Sequence, residues 1–136
     1  MSVVVVDTSA AMAILRGEAA GDELAARLAE ADERLMSTGT LIELGIVLEA
    51  RIGPAASGII DRFLRDGGID LVSVERVHTD RALEGWRRFG RGRHPAALNL
   101  GDLFAYALAA SKGHPVLCTG RDFAATDVGV VSPTLT

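Results

Sequence analysis

Apolar and polar positions recur along this chain with two different periods, and the periods separate strands from helices. Val3 to Val6 is a continuous β-branched run without polar interruption, the pattern of a central parallel strand covered on both faces, and it stops at Asp7. Ser9 to Leu15 reads as helical. Asp22 to Ala31 follows as a second helix with Leu24 and Leu28 one turn apart, Asp22 placed to cap it and Gly17 and Gly21 marking the break. Arg34 to Ser37 fits a short strand. Thr40 to Ile52 then carries Leu41, Leu44, Leu48 and Ile52 at helical spacing and is closed by Gly53 and Pro54.

Ala55 to Arg65 places Ile59, Ile60, Phe63 and Leu64 on one face, and Gly67 with Gly68 ends it before a strand at Ile69 to Val74. Thr79 to Phe89 is amphipathic through Ala82, Leu83 and Trp86, with Trp86 expected in the core. Gly101 to Ser111 is apolar on every side apart from Asp102, as a buried helix would be, and Pro115 to Cys118 and Val128 to Val131 supply two late strands. Strands alternating with helices imply an α/β fold, a mostly parallel sheet with helices on both faces. Such sheets bind ligands beyond the carboxyl ends of their strands, which directs attention to Asp7 and Asp122.

At 136 residues, without repeats or a linker, the chain is expected to form one domain spanning 1–136. No basic segment precedes the valine run, which is too short to span a bilayer, so the expected location is the cytoplasm. Cys118 is the sole cysteine, which excludes an internal disulfide and a cysteine-rich metal site and leaves it as buried filler. A net charge of -4 gives no general attraction to nucleic acid, so any such contact must be local. One local cluster exists: Arg87, Arg88, Arg91, Arg93 and His94 gather around a glycine-rich loop, either as an RNA-steering patch or as a solvated helix end.

Four acids stand out, each with a structural alternative. Asp7 closes the first strand and opens Asp7-Thr8-Ser9, where it could also cap the next helix. Glu43 falls near the start of its helix, three residues after Thr40, which is capping-box spacing. Asp102 is the only charged side chain between His94 and Lys112, so it must be a cap, be paired, or hold a cation, and Asn99 and Gly101 can serve the cap themselves. After the late strand either Asp122 or Asp127 can complete the group, with Asp122 nearer the strand end.

Carboxylates ~5 Å apart repel by ~3 kcal/mol per pair at an effective dielectric of ~20, so a cluster of four needs protons or a divalent cation. Oxygen donors without cysteine suit Mg2+ or Mn2+ better than zinc. Hydrolysis of nucleic acid is the natural use of a metal held in this way.

Val5-Val6-Asp7-Thr8-Ser9-Ala10, the helix-borne Glu43, and Leu98-Asn99-Leu100-Gly101-Asp102-Leu103-Phe104-Ala105-Tyr106-Ala107 resemble the PIN-domain motifs of VapC toxins over nearly the whole chain. The resemblance implies a three-layer α/β/α sandwich, usually a homodimer, that cleaves RNA when its VapB-type antitoxin is absent. It implies Asp7 and Asp102 as direct metal ligands, Glu43 as the residue orienting metal and water, Asp122 as the completing acid, and products with a 5'-phosphate and a 3'-hydroxyl. Thr8 or Ser9 would add a hydroxyl hydrogen bond. The family's last acid often sits in a fuller acidic run, whereas Gly120 and Arg121 precede Asp122 here.

Two rivals remain at this level. An aspartyl-phosphate type phosphatase also starts with a strand ending in aspartate, but Ser9 stands where its second aspartate would be. A non-catalytic PIN-like module that binds RNA or protein is the other, and the intact acids argue against it.

Overall fold

The computed structural model describes residues 1–133. Its elements run β1 (Val3–Val6), α1 (Thr8–Leu15), α2 (Gly21–Glu30), β2 (Glu33–Ser37), α3 (Thr38–Ile52), α4 (Ala56–Asp66), β3 (Ile69–Val72), α5 (Arg76–Phe89), α6 (Leu100–Lys112), β4 (Val116–Leu117) and β5 (Val130–Val131), with a 3-10 turn at Phe123–Ala125. The strands form one sheet in the order β3-β2-β1-β4-β5. Every pairing among the described residues is parallel, so the expected mostly parallel sheet is wholly so.

β1 sits at the centre because its valines have apolar neighbours on both sides of the sheet. Val4 and Val6 point into a core built with Leu24, Leu28, Met36, Leu44 and Ile60, from α1 through α4. Val5 points the opposite way, into a second core with Leu98, Leu103, Tyr106, Leu108 and Phe123, beneath α5 and α6. The result is the three-layer α/β/α sandwich, and each buried valine contributes roughly 1.5–3 kcal/mol of transfer free energy.

Several boundaries differ from the pattern reading, each for a local reason. Asp22 does not cap α2; the cap position is Ala20 and Asp22 lies inside the first turn, where it and Glu23 favour the helix dipole. α3 begins two residues early because buried Ser37 caps it, accepting from the Gly39 N–H. Glu43 therefore lies in the second turn, and no capping box joins it to Thr40. β3 stops at Val72 as the chain turns away, the Val74 N–H donating to Thr38 Oγ1 at 3.2 Å. α5 starts at Arg76, ahead of Thr79, since Glu75 and His78 form a capping box with the Glu75 N–H on His78 Nδ1 at 2.9 Å.

Trp86 is not a core residue. The inner face of α5 is His78, Gly85 and Phe89; the Tyr106 ring lies against Gly85, where a Cβ would meet it at 2.5 Å. Tyr106 thus fills the space on that face, and Trp86 stays 40% exposed. A second close approach joins α3 to α6: Gly39 lies directly under the Phe104 ring, with no room for a side chain.

Arg34 ties three segment ends together. Its Nη1 donates to Gly67 O at 2.7 Å and its Nη2 to Ala29 O at 2.8 Å and Ala31 O at 3.1 Å, closing the ends of α4 and α2 against β2. Replacing it by methionine keeps the stem and removes all three bonds. We expect Arg34→Met to lower the unfolding free energy by about 2–3 kcal/mol, measured by urea denaturation; a loss within error would show that solvent replaces these bonds.

Candidate active site

The parallel sheet delivers its strand ends to one edge, and β1 delivers Asp7. Its backbone N–H is held by Leu117 O of β4 at 3.0 Å, and its side chain begins α1. One oxygen, Oδ2, accepts from Ser9 N at 3.0 Å and from Ser9 Oγ at 2.7 Å. Ser9 Oγ accepts in turn from the Thr119 N–H at 3.0 Å, so Ser9 joins the first acid to the segment after β4. The other oxygen, Oδ1, is buried with no hydrogen-bond partner. One oxygen of this carboxyl is thereby taken up in capping and the other is left open.

That environment acts on the proton affinity. Burial pushes the Asp7 carboxyl up to about 6; the Ser9 bonds oppose this and the Glu43 charge adds to it. Glu43 approaches from α3, its Oε1 accepting from Thr8 Oγ1 at 2.5 Å. Both hydroxyls of the Thr8-Ser9 pair therefore serve acids, each a different one.

Asp102 enters from α6. Asn99 is the N-cap, its Oδ1 accepting from the Asp102 N–H at 2.9 Å, and Asp102 reciprocates by accepting the Asn99 N–H on Oδ2 at 3.1 Å. Burial pushes the Asp102 carboxyl to about 6 against this bond, with the charges of Asp7, Asp122 and Glu43 adding to it. The same field reaches Cys118, whose thiol is pushed up to about 12 by burial first and then by Asp7, Asp122 and Asp102. Cys118 is a buried, neutral thiol, as its place beside a strand suggested.

The two late aspartates part company. Asp122 precedes the turn anchored by buried Phe123 and contributes to the field on Asp102. Asp127 is engaged elsewhere, Oδ1 accepting from Tyr106 OH at 2.8 Å and Oδ2 from Arg88 Nη1 at 3.0 Å. Partial burial works against it, but those two bonds hold the Asp127 carboxyl below its usual range.

Asp7, Glu43, Asp102 and Asp122 thus share one electrostatic edge. Among the described residues no three acidic, histidine or cysteine side chains form a ready-made ligand shell. What is fixed is a common negative field and one bare, buried oxygen. A hard divalent cation fits both: the donors are all carboxylate oxygens, and Asp7 Oδ1 has no competing partner.

Two residues and one long-range contact at the site were not legible in the sequence. Gly101 is required because the Glu43 carboxylate occupies the space where a Cβ would stand; in the sequence it looked only like a possible cap. Asn99 was readable as a cap, but not as the group that turns Asp102. The Ser9 to Thr119 bond crosses 110 residues and leaves no local signal. His94 is structural, Nδ1 accepting from Ala96 N at 3.0 Å and its ring meeting Phe89 edge-on.

The PIN domain family model matches residues 4–129. Ribonuclease VapC30 of Mycobacterium tuberculosis is 42% identical over 129 residues, covering 94% of this chain and 98% of its own length. Ribonuclease VapC of Mycolicibacterium smegmatis is 42% identical over 127 residues, covering 93% and 98%. Among solved structures, Mycobacterium tuberculosis VapC20, described as a sarcin-ricin loop cleaving toxin, aligns with a TM-score of 0.78 at 20% identity over 96% of this chain and 99% of that one. VapBC2 of Rickettsia felis, bound to a promoter DNA fragment, aligns at 0.75 and 13% identity over 96% and 98%. Both are likenesses of fold.

Asp7 has a testable linkage to stability. Its carboxyl binds protons more tightly in the folded protein, near 6, than in the unfolded chain, where it has its ordinary value of 3.8, so cation-free protein gains stability as pH falls from about 6 towards 4 and loses it again as pH rises. Asp7→Asn retains a carbonyl for the Ser9 donors and removes the charge. In chelator at pH 7.5 it should unfold with a free energy on the order of 2–3 kcal/mol higher than the parent, and the gap should close near pH 4. Equal stability at both pH values would show that Asp7 is not strained by its burial.

Proposed function

The chain belongs to the PIN-domain family, and on that premise we propose that it is a metal-dependent endoribonuclease, the VapC-type toxin of a toxin-antitoxin pair. The observation that carries the reading is the bare Oδ1 of Asp7, buried in a field shared with Glu43, Asp102 and Asp122.

Asp7 through Oδ1, together with Asp102, would hold the metal, with Mg2+ the expected ion and Mn2+ a substitute. When bound, a divalent cation supplies charge neutralisation at the phosphoryl group and a lower pKa for water. The protein's own groups do the positioning. Ser9 keeps Asp7 from rotating by holding Oδ2. Thr8 fixes one oxygen of Glu43 while Gly101 admits the rest of that carboxylate to the edge, where Glu43 orients the attacking water. Asn99 holds Asp102 at the start of α6, and Asp122 completes the negative wall. In-line attack would leave a 5'-phosphate and a 3'-hydroxyl.

The reading extends to partners. A VapB-type antitoxin would mask the edge, and an arginine suits that task because a guanidinium matches carboxylates in shape and charge. A homodimer would need apolar surface, and α3 exposes Ile42 and Ile46 at 64% and 66%. The chain would act as a single PIN domain in the cytoplasm, where its RNA lies; among the described residues no helix is long and apolar enough to cross a membrane.

Purified protein should cut cellular RNA with Mg2+ or Mn2+, and chelator should stop it. Asp7→Asn and Asp102→Asn should each reduce the rate at least ~100-fold, as removal of one oriented electrostatic group does. Mapping RNA 5' ends after induction of the intact chain and of Asp102→Asn reads activity and substrate together; identical end profiles would reject the assignment. A further pair separates the late acids. Asp122→Asn should lose cleavage, whereas Asp127→Asn should keep it and melt at lower temperature, and the reverse result would make Asp127 the fourth acid.

A further inference from the structure

The arginines of α5 and the following loop fall into two groups. Arg76 pairs with Asp80 at 2.9 Å, Arg81 with Glu84 at 3.8 Å, and Arg88 with Glu84 and Asp127 at 3.6 and 3.0 Å. Arg87, Arg91 and Arg93 are exposed and make no ion pair among the described residues. Arg93 instead lays its guanidinium over the Trp86 ring, 4.1 Å from the centroid. The loop carrying Arg91 and Arg93 is fixed at its base, with the Arg91 N–H on Leu98 O and the Leu98 N–H on Phe89 O, both at 2.9 Å.

Beside these cations lies a groove of about 570 Å3 between α5 and α6, within the ~300–1,000 Å3 usual for small-molecule sites. Its walls are Leu83, Trp86, Leu98, Leu103 and Phe104, with Arg91 on the rim. Asn99 and Ser37 also line it. They belong to the acid edge: Asn99 turns Asp102, and Ser37 caps the helix that carries Glu43. The groove therefore runs from unpaired cations to the place where a phosphodiester would be cut.

We propose that this groove is a nucleobase subsite, taking an unpaired base of the RNA next to the scissile phosphate while Arg91 and Arg93 meet the neighbouring phosphates. The inference rests on the ribonuclease reading above. A base has apolar faces for the walls and polar edges for Asn99 and Ser37, and its backbone brings the negative charge that Arg87, Arg91 and Arg93 lack. A purely apolar protein segment would match the walls and leave those charges uncompensated. Single-stranded RNA is the favoured occupant because a paired base cannot leave its stack without an energetic cost.

Trp86 is the chain's sole tryptophan, so its fluorescence reports this groove directly. The probe is a short single-stranded oligoribonucleotide, added in chelator so that nothing is cut, with its duplex form and an abasic strand of equal length as controls. Saturable quenching by the single strand, absent with both controls, is expected. Trp86→Ala should weaken single-strand binding roughly tenfold and raise KM more than it lowers kcat, and Arg91→Ala should reduce the salt dependence of binding by about one ion.

Equal quenching by the abasic strand would overturn the proposal, since charge alone would then explain binding. Emission that changes on diluting RNA-free protein would also overturn it, assigning the groove to a second copy. Cleavage with Mg2+ but no quenching would remove the subsite and leave the ribonuclease reading intact. Base-dependent quenching by a protein that cuts no RNA would do the opposite, keeping the subsite and rejecting the nuclease.

Discussion

Asp7 leaves one oxygen buried without a partner while Ser9 holds the other, and a carboxylate in that state is unfavourable unless a proton or cation compensates it. The surrounding architecture makes relief by movement difficult. β1 is the middle strand, its side chains are packed into both cores, and its end is hydrogen-bonded to β4. The sheet fixes where the charge must sit; Glu43 arrives from a helix capped by Ser37, Asp102 from one it helps Asn99 to cap, and Asp122 from the segment after β4. The Ser37 cap and the Asn99 capping box therefore do more than begin their helices: each sets the position from which a carboxylate reaches the edge.

The sequence was most informative where one local rule decided the outcome. A four-residue valine run can hardly be anything but a strand buried on both faces, and a lone acid in thirteen residues of apolar helix has few explanations. Glu43 was harder, because its spacing from Thr40 imitates a capping box while the real cap, Ser37, lies three residues earlier. Trp86 was misjudged because hydrophobic periodicity ranks it with Leu83, whereas the space on that face is filled by Tyr106 reaching over Gly85 from another helix. Choosing between Asp122 and Asp127 needed tertiary structure: Arg88 is 39 residues from Asp127, and no local pattern announces that bond.

Charge is distributed with the same economy. A chain of net charge -4 gives long-range attraction to RNA little help. Much of its positive charge on α5 is spent internally, Arg88 above all, which fastens the segment after β4 to the helix beneath it. Of the arginines on α5 and the loop that follows it, Arg87, Arg91 and Arg93 make no ion pair among the described residues, and Arg91 lines the groove. In the subsite proposed above, recognition would rest on a small number of short-range contacts in a defined place, which favours discrimination between RNA sites over indiscriminate binding.

The contact between Gly39 and Phe104 joins the first turn of α3 to α6 with no side chain between them. Glu43 and Asp102 ride on those two helices, so the pair forms a single mechanical block. Any force that tilts one helix is transmitted to the other, and the two acids move in step. Their mutual spacing is therefore kept, and a load placed on either helix well away from the edge would shift both acids together relative to Asp7 at the end of β1, without touching a charged group.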